Sequence, residues 1–175
     1  MGKTTKFGQP VSAEDCECFG YPAGHVAAAA NSVTTGEGIS CGGVALQRID
    51  CLKYGHVNSG DYFRKIGGLG MLQFMTSQKP CRPNDLYKHF EKQDYSLDWG
   101  DTKWLQSHLE RGNSPAVVLI GHQEHYVVAI GIKDGEVYWI DYNGIFRAPL
   151  EKFRSNASSI QPFAGNFWNC MRVFL

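Results

Sequence analysis

The clearest apolar pattern in the chain lies between residues 116 and 147. Ala116, Val117, Val118, Leu119 and Ile120 form an unbroken run of strand length, which predicts a buried strand. A second run opens on His125 and continues through Tyr126, Val127, Val128, Ala129 and Ile130 to Ile132. Asp134-Gly135 follows, a pair suited to a two-residue hairpin turn, and residues 136–141 form the partner run, ending on Asp141. Asn143-Gly144 predicts another turn into a short strand over 144–147, and residues 171–175 read as a closing strand.

Upstream the period changes to that of helices. Val44, Ala45, Ile49 and Leu52 recur at helical spacing over residues 41–54, and Gly55 marks a stop. Leu86, Tyr87 and Phe90 make an apolar face behind a cap at Asn84, and a further helix from near Asp101 would set Trp104, Leu105, His108 and Leu109 on one side. Residues 25–30 are alanine-rich enough for a short helix, and residues 149–153 are expected to form a helical turn. Residues 1–24 are expected to be irregular, 34–40 to be a glycine-bearing loop, and 61–75 to be mixed. The order predicts one α+β domain over residues 1–175, helices first and an antiparallel sheet after them.

That order brings chemistry with it. His125 at the start of one strand and Asp141 at the end of its hairpin partner lie at the same end of the pair, where a base and its orienting acid can be held on rigid backbone. His122 competes with His125, but it falls in the loop before the strand. The candidate nucleophile is Cys41, where the glycine-bearing loop runs into a helix. A thiol at a helix N-terminus is favoured as thiolate, and the N–H groups there also suit a developing oxyanion.

Composition removes several alternatives. Seventeen basic and seventeen acidic side chains cancel, and no basic cluster is interleaved with aromatics, so neither nucleic acid nor an anionic membrane is expected as a partner. Twenty glycines and 13% aromatic residues suit a chain with many tight turns. Six cysteines (16, 18, 41, 51, 81 and 170) are scattered through a chain long enough to fold without staples, so free thiols are expected. Cys16, Cys18 and His25 lack the paired spacing of a zinc site. Neither a metal nor a cofactor is expected. Residues 1–10 are polar, without the apolar core of a secretory signal, which suggests the cytoplasm or delivery by a route needing no cleavable signal.

Cys41-Gly42-Gly43-Val44-Ala45-Leu46 resembles the cysteine motif of the double-glycine (peptidase C39) family, within the papain-like fold. His125-Tyr126-Val127-Val128 with Asp141 is similar to the later motifs of that family, and the resemblance runs from about Gly38 to Leu175. Where the family has a glutamine before the cysteine this chain has Thr35 and Gly36, and where it has proline after the aspartate this chain has Tyr142. Papain-fold bacterial effectors and toxins, including glutamine deamidases, have a similar cysteine segment and a turn like Asn143-Gly144. The resemblance implies a papain-like fold with the cysteine on an N-terminal helical part and the His and Asp on a C-terminal sheet.

It also implies a cysteine peptidase with a Cys41, His125 and Asp141 triad acting on a protein or peptide substrate. A deamidase or acyl transferase using the same triad is the alternative, as is a catalytically silent binding module. If the chain is a toxin domain, an immunity or inhibitor protein covering the cleft is the implied partner. Asn31, Ser40 and a loop N–H are candidates for the second oxyanion donor.

Overall fold

The computed structural model describes residues 7–13, 19–33, 41–58, 83–121, 125–141, 144–163 and 166–175, with the side chains of residues 41, 161–163 and 166 outside that description. In chain order the elements are β1 (Gln9–Val11), α1 (His25–Asn31), α2 (Cys41–Tyr54), α3 (Pro83–Lys92), β2 (Ser96–Gly100), a 3-10 turn (Thr102–Trp104) and α4 (Leu105–Glu110). There follow β3 (Ala116–Ile120), β4 (His125–Lys133), β5 (Glu136–Asp141), β6 (Gly144–Pro149), α5 (Leu150–Ser155), β7 (Ile160–Phe163), β8 (Asn166–Trp168) and β9 (Cys170–Phe174). Among the described residues, seven strands make one antiparallel sheet in the order β1-β6-β5-β4-β3-β9-β2, and β7 and β8 pair separately.

Strand alternation divides the core in two. Val117, Leu119, Tyr126, Val128, Ile140 and Met171 face one way, against α1, α2 and α3. Val118, Ile120, Val127, Ala129, Val137 and Trp139 face the other way, against Leu105 and Leu109 of α4 and Phe153 of α5. The sheet is therefore covered on both faces, and each fully buried Val, Leu, Ile or Phe contributes about 1.5–3 kcal/mol. This explains why its central strands read as nearly continuous apolar runs. Among the described residues, no helix is long and apolar enough to cross a membrane.

The sheet has two distinguishable ends. Ile120, His125, Asp141, Gly144, Cys170 and Gly100 lie at the upper end, and Ala116, Lys133, Glu136, Phe174 and Ser96 at the lower. The helix α2 is buried from Gly42 to Leu52, on all sides. Its lower end is tied down by His25 at the start of α1, whose Nδ1–H donates to the Leu52 carbonyl at 2.9 Å. A histidine in that position satisfies one of the carbonyls a helix leaves unpaired at its C-terminus.

Several elements differ from expectation. Residues 1–24 are not uniformly irregular: β1 pairs with β6, and Phe7 stacks on Trp139 with ring centroids 5.1 Å apart. The helix α3 starts at Pro83, one residue before the expected cap at Asn84, because the fixed φ of proline suits the first helical position. Asp101 caps a 3-10 turn, accepting from Lys103 N at 2.9 Å, and the change of helix type leaves Trp104 59% exposed while Leu105, His108 and Leu109 turn inward. The strand β2 and the β7–β8 pair were not anticipated.

At the lower end of the β4–β5 hairpin, Asp134 and Gly135 both have positive φ (53° and 76°), as a type I′ turn requires. Gly131 meets a different demand. A Cβ there would lie 2.2 Å from two ring carbons of Phe19, so the ring occupies the space a side chain would need. Gly131→Ala is expected to lower stability by about 1–3 kcal/mol through overpacking. Phe19→Ala should absorb most of that loss, so that in urea melts the double variant is no less stable than Phe19→Ala alone.

His108 makes the fold acid-sensitive. Its Nε2–H donates to the Pro115 carbonyl at 2.9 Å, and its ring meets Phe174 edge-on at 5.2 Å. Burial, reinforced by Arg172 and Arg111, holds its pKa below the ordinary value, against the Pro115 bond and Asp98. A depressed folded-state pKa means that protonation favours the unfolded chain. The stability His108 contributes is complete above about pH 6.5, the unfolded value, and is lost as pH falls from there through the lowered folded-state value. Urea melts at pH 7.5 and 5.5 should show a smaller acid-induced loss for His108→Gln than for the parent protein.

Candidate active site

His125 opens β4 and Asp141 closes β5. Both stand at the upper end of the sheet, and the His125 Nε2–H donates to Asp141 Oδ1. Asp141 is fully buried, whereas 18% of the His125 side chain is exposed. Nε2 is the ring nitrogen engaged by the carboxyl group, and Nδ1 is the one not used in that bond.

The pairing depends on an irregularity in the hairpin. From the turn upward, Lys133 opposes Glu136, Ile132 opposes Val137 and Gly131 opposes Tyr138; beyond a bulge, Ala129 opposes Trp139 and Val128 opposes Ile140. One residue of β4, Ile130, has been absorbed. Continued without the bulge, the lower register would set Val128 opposite Asp141 and leave His125 on the other face. With it, Val127 comes opposite Asp141, and His125, two residues earlier, shares that face. The two side chains then meet diagonally across the strand pair.

Cys41 is the first residue of α2, and its thiol lies outside the described side chains. Three contacts set the direction of the helix. His25 holds Leu52, Asp50 accepts a hydrogen bond from Tyr95 Oη just before the lower end of β2, and Phe19, a few residues before α1, packs on Tyr138 and Gly131. Asp50 places the C-terminal turns of α2 low on the sheet directly, and Leu52 does so through His25, whose preceding segment is held at Phe19. Fourteen residues at 1.5 Å span about 21 Å, enough to carry its N-terminus to the upper end. The helix crosses the face that holds Val128 and Ile140, whereas alternation groups His125 and Asp141 with Val127 and Trp139 on the opposite face. The body of α2 and the His125–Asp141 pair therefore belong to opposite faces of the sheet.

Asn31 is exposed and is the last residue of α1, whose first residue lies beside the low end of α2. His122, Cys16, Cys18, Cys81, Thr35, Gly36, Ser40, Tyr142 and Asn143 lie outside the described residues, as do the segments 34–40 and 61–75. Among the described residues no group of three metal-binding side chains occurs, and His25 is engaged with Leu52. Cys51 and Cys170 are free and buried. Burial, with Asp50 adding to it and Arg48 opposing, pushes the Cys51 thiol up to about 11; burial pushes Cys170 up to about 12.

No family model matches the chain, and no curated protein matches it in sequence. Among solved structures it is similar to a double glycine motif protease from an AMS/PCAT transporter, crystallised in complex with the leader peptide. The identity is 15% and the TM-score 0.50, over 82% of this chain and 90% of that one. The likeness is one of fold: an α+β chain with an antiparallel sheet, of the double-glycine peptidase type.

Thiolate chemistry separates the cysteines. Near neutral pH, iodoacetamide should label Cys41 before Cys51 or Cys170, whose thiols burial keeps protonated. Peptide mapping over a time course that found Cys41 inert while another cysteine reacted would move the nucleophile elsewhere.

Proposed function

We propose that the protein is a cysteine peptidase in which Cys41 is the nucleophile, His125 the base and acid, and Asp141 the group that orients and charges the imidazole. The observation that carries this reading is the hydrogen bond from His125 to the buried Asp141, at the end of the sheet toward which the N-terminus of α2 runs. The fold likeness to a double-glycine protease supports the same class of reaction.

In this reading the Cys41 thiol gives its proton to His125 Nδ1, forming a thiolate and imidazolium pair. The thiolate attacks the carbonyl carbon of a peptide bond, and the oxygen gains negative charge beside the first N–H groups of α2. The C–N bond then breaks as His125 returns its proton to the leaving amine, which leaves an acyl thioester on Cys41. A water molecule, deprotonated by the same nitrogen, attacks the thioester and releases the acid and the thiol. Asp141 takes no proton; it holds Nε2–H and stabilises the imidazolium.

The substrate is an extended peptide or protein segment. The fold neighbour was crystallised with a leader peptide, and the resemblance of the Cys41 segment to double-glycine peptidases points to small residues at the scissile bond. Incubation with a cell lysate should yield new protein termini that are absent with Cys41→Ala; intact chains with Gln converted to Glu would instead identify a deamidase. Asp141→Asn should leave the fold intact and lower kcat by about 10²–10⁴, because the amide supplies no charge and favours the wrong tautomer. Steady-state kinetics with circular dichroism on the same preparation checks both halves of that expectation.

A further inference from the structure

The surface that α2 lays on the sheet is apolar, made by Ala45, Leu46, Ile49 and Leu52. Contacts of this kind resist separation, but burial is non-directional and resists sliding less well. Asp50 supplies direction. It is 1% exposed on the same helix, and it accepts hydrogen bonds from Tyr95 Oη and from Asn58 N, the latter at 3.1 Å. Tyr95 immediately precedes β2, and Asn58 follows the end of α2. Burial, and then the bond to Asp50, hold the Tyr95 hydroxyl well above its ordinary pKa, so it remains a donor.

A buried carboxyl group is costly to desolvate, and apolar groups of similar volume often serve stability as well or better. What it adds is a contact that is satisfied at one height of the helix and lost when the helix shifts. We propose that Asp50 is a positioning residue: through Tyr95 it fixes the height of α2 along the sheet and so sets where Cys41 stands relative to His125. The inference rests on Cys41 and His125 being the reacting pair. Because Cys41 is the first residue of this helix, an axial shift of α2 changes the distance between Cys41 and the strand end that carries His125. A displacement of about 1 Å is enough to cost on the order of 100-fold in rate.

The test replaces both partners, so that neither is left buried without the other. Asp50→Leu/Tyr95→Phe is expected to stay folded, to keep KM, and to lose about 10–100-fold in kcat. The pH midpoint for alkylation of Cys41 should rise toward that of an ordinary thiol. A purely stabilising role would move the melting temperature and leave that midpoint unchanged. If the double variant does not fold, Tyr95→Phe, which leaves Asp50 with the Asn58 amide, is read in the same way.

Folded variants with an unchanged kcat and alkylation midpoint would overturn the proposal, and so would loss of folding in both. His125→Ala distinguishes the underlying reading: in an otherwise unaltered protein it must raise the Cys41 midpoint. If it does not, the reacting pair is wrong whatever Asp50 does. If it does, and the Asp50 and Tyr95 variants leave the midpoint where it was, only the positioning role falls.

Discussion

Strand register is the constraint on which the upper end of this molecule depends. A side chain's face is set by parity, so one residue gained or lost in β4 moves every residue above it to the other side of the sheet. The two-residue turn at Asp134-Gly135 sets the count at the lower end, and the bulge at Ile130 changes it once on the way up. The hydrogen bond from His125 to Asp141 follows from those two events together. Phe19 guards the second, since its ring fills the place of a side chain at Gly131.

The other half of the candidate site depends on how α2 is held. It is wrapped by apolar groups and also buries Gln47, Arg48 and Asp50, so its position is defined by polar contacts as well as by shape. Those with identified partners gather at its lower half: His25 on Leu52, and Tyr95 and Asn58 on Asp50. The N-terminal half buries Val44, Ala45, Leu46 and Gln47 in turn, and its small residues Gly42, Gly43 and Ala45 leave room for close approach of neighbouring elements.

Local signals in the sequence were good guides where the structure is locally determined. The limits of α2 follow from helical spacing and Gly55, and β3, β5 and the hairpin turn follow from their apolar runs and Asp134-Gly135. His125 and Asp141 were legible as neighbours because hairpin ends must meet. The reason they share a face was not, although an isolated glycine inside a strand pattern, Gly131, is the kind of residue that marks a bulge. The strand β2 was illegible for another reason. Its Asp98 and Gly100 are poor strand formers, and its pairing is set by β9, far along the chain. Trp104 was misread because a 3-10 turn rotates it away from the face that α-helical spacing assigns.

The position of β9 carries a consequence for how the molecule is made. It lies between β2 and β3 in the sheet, and Arg172 on β9 bonds Asp98 on β2 across 74 residues of sequence. Among the described residues, β2 has no other strand neighbour within the sheet. A chain emerging from the ribosome can close the β3 to β6 meander as those strands appear, but β2 must wait, its backbone bonded to water, until β9 arrives. Pairings this distant are slow to form and leave an edge exposed to other chains meanwhile. The nascent protein is therefore most exposed to aggregation, and to chaperones, in the interval between the synthesis of these two strands.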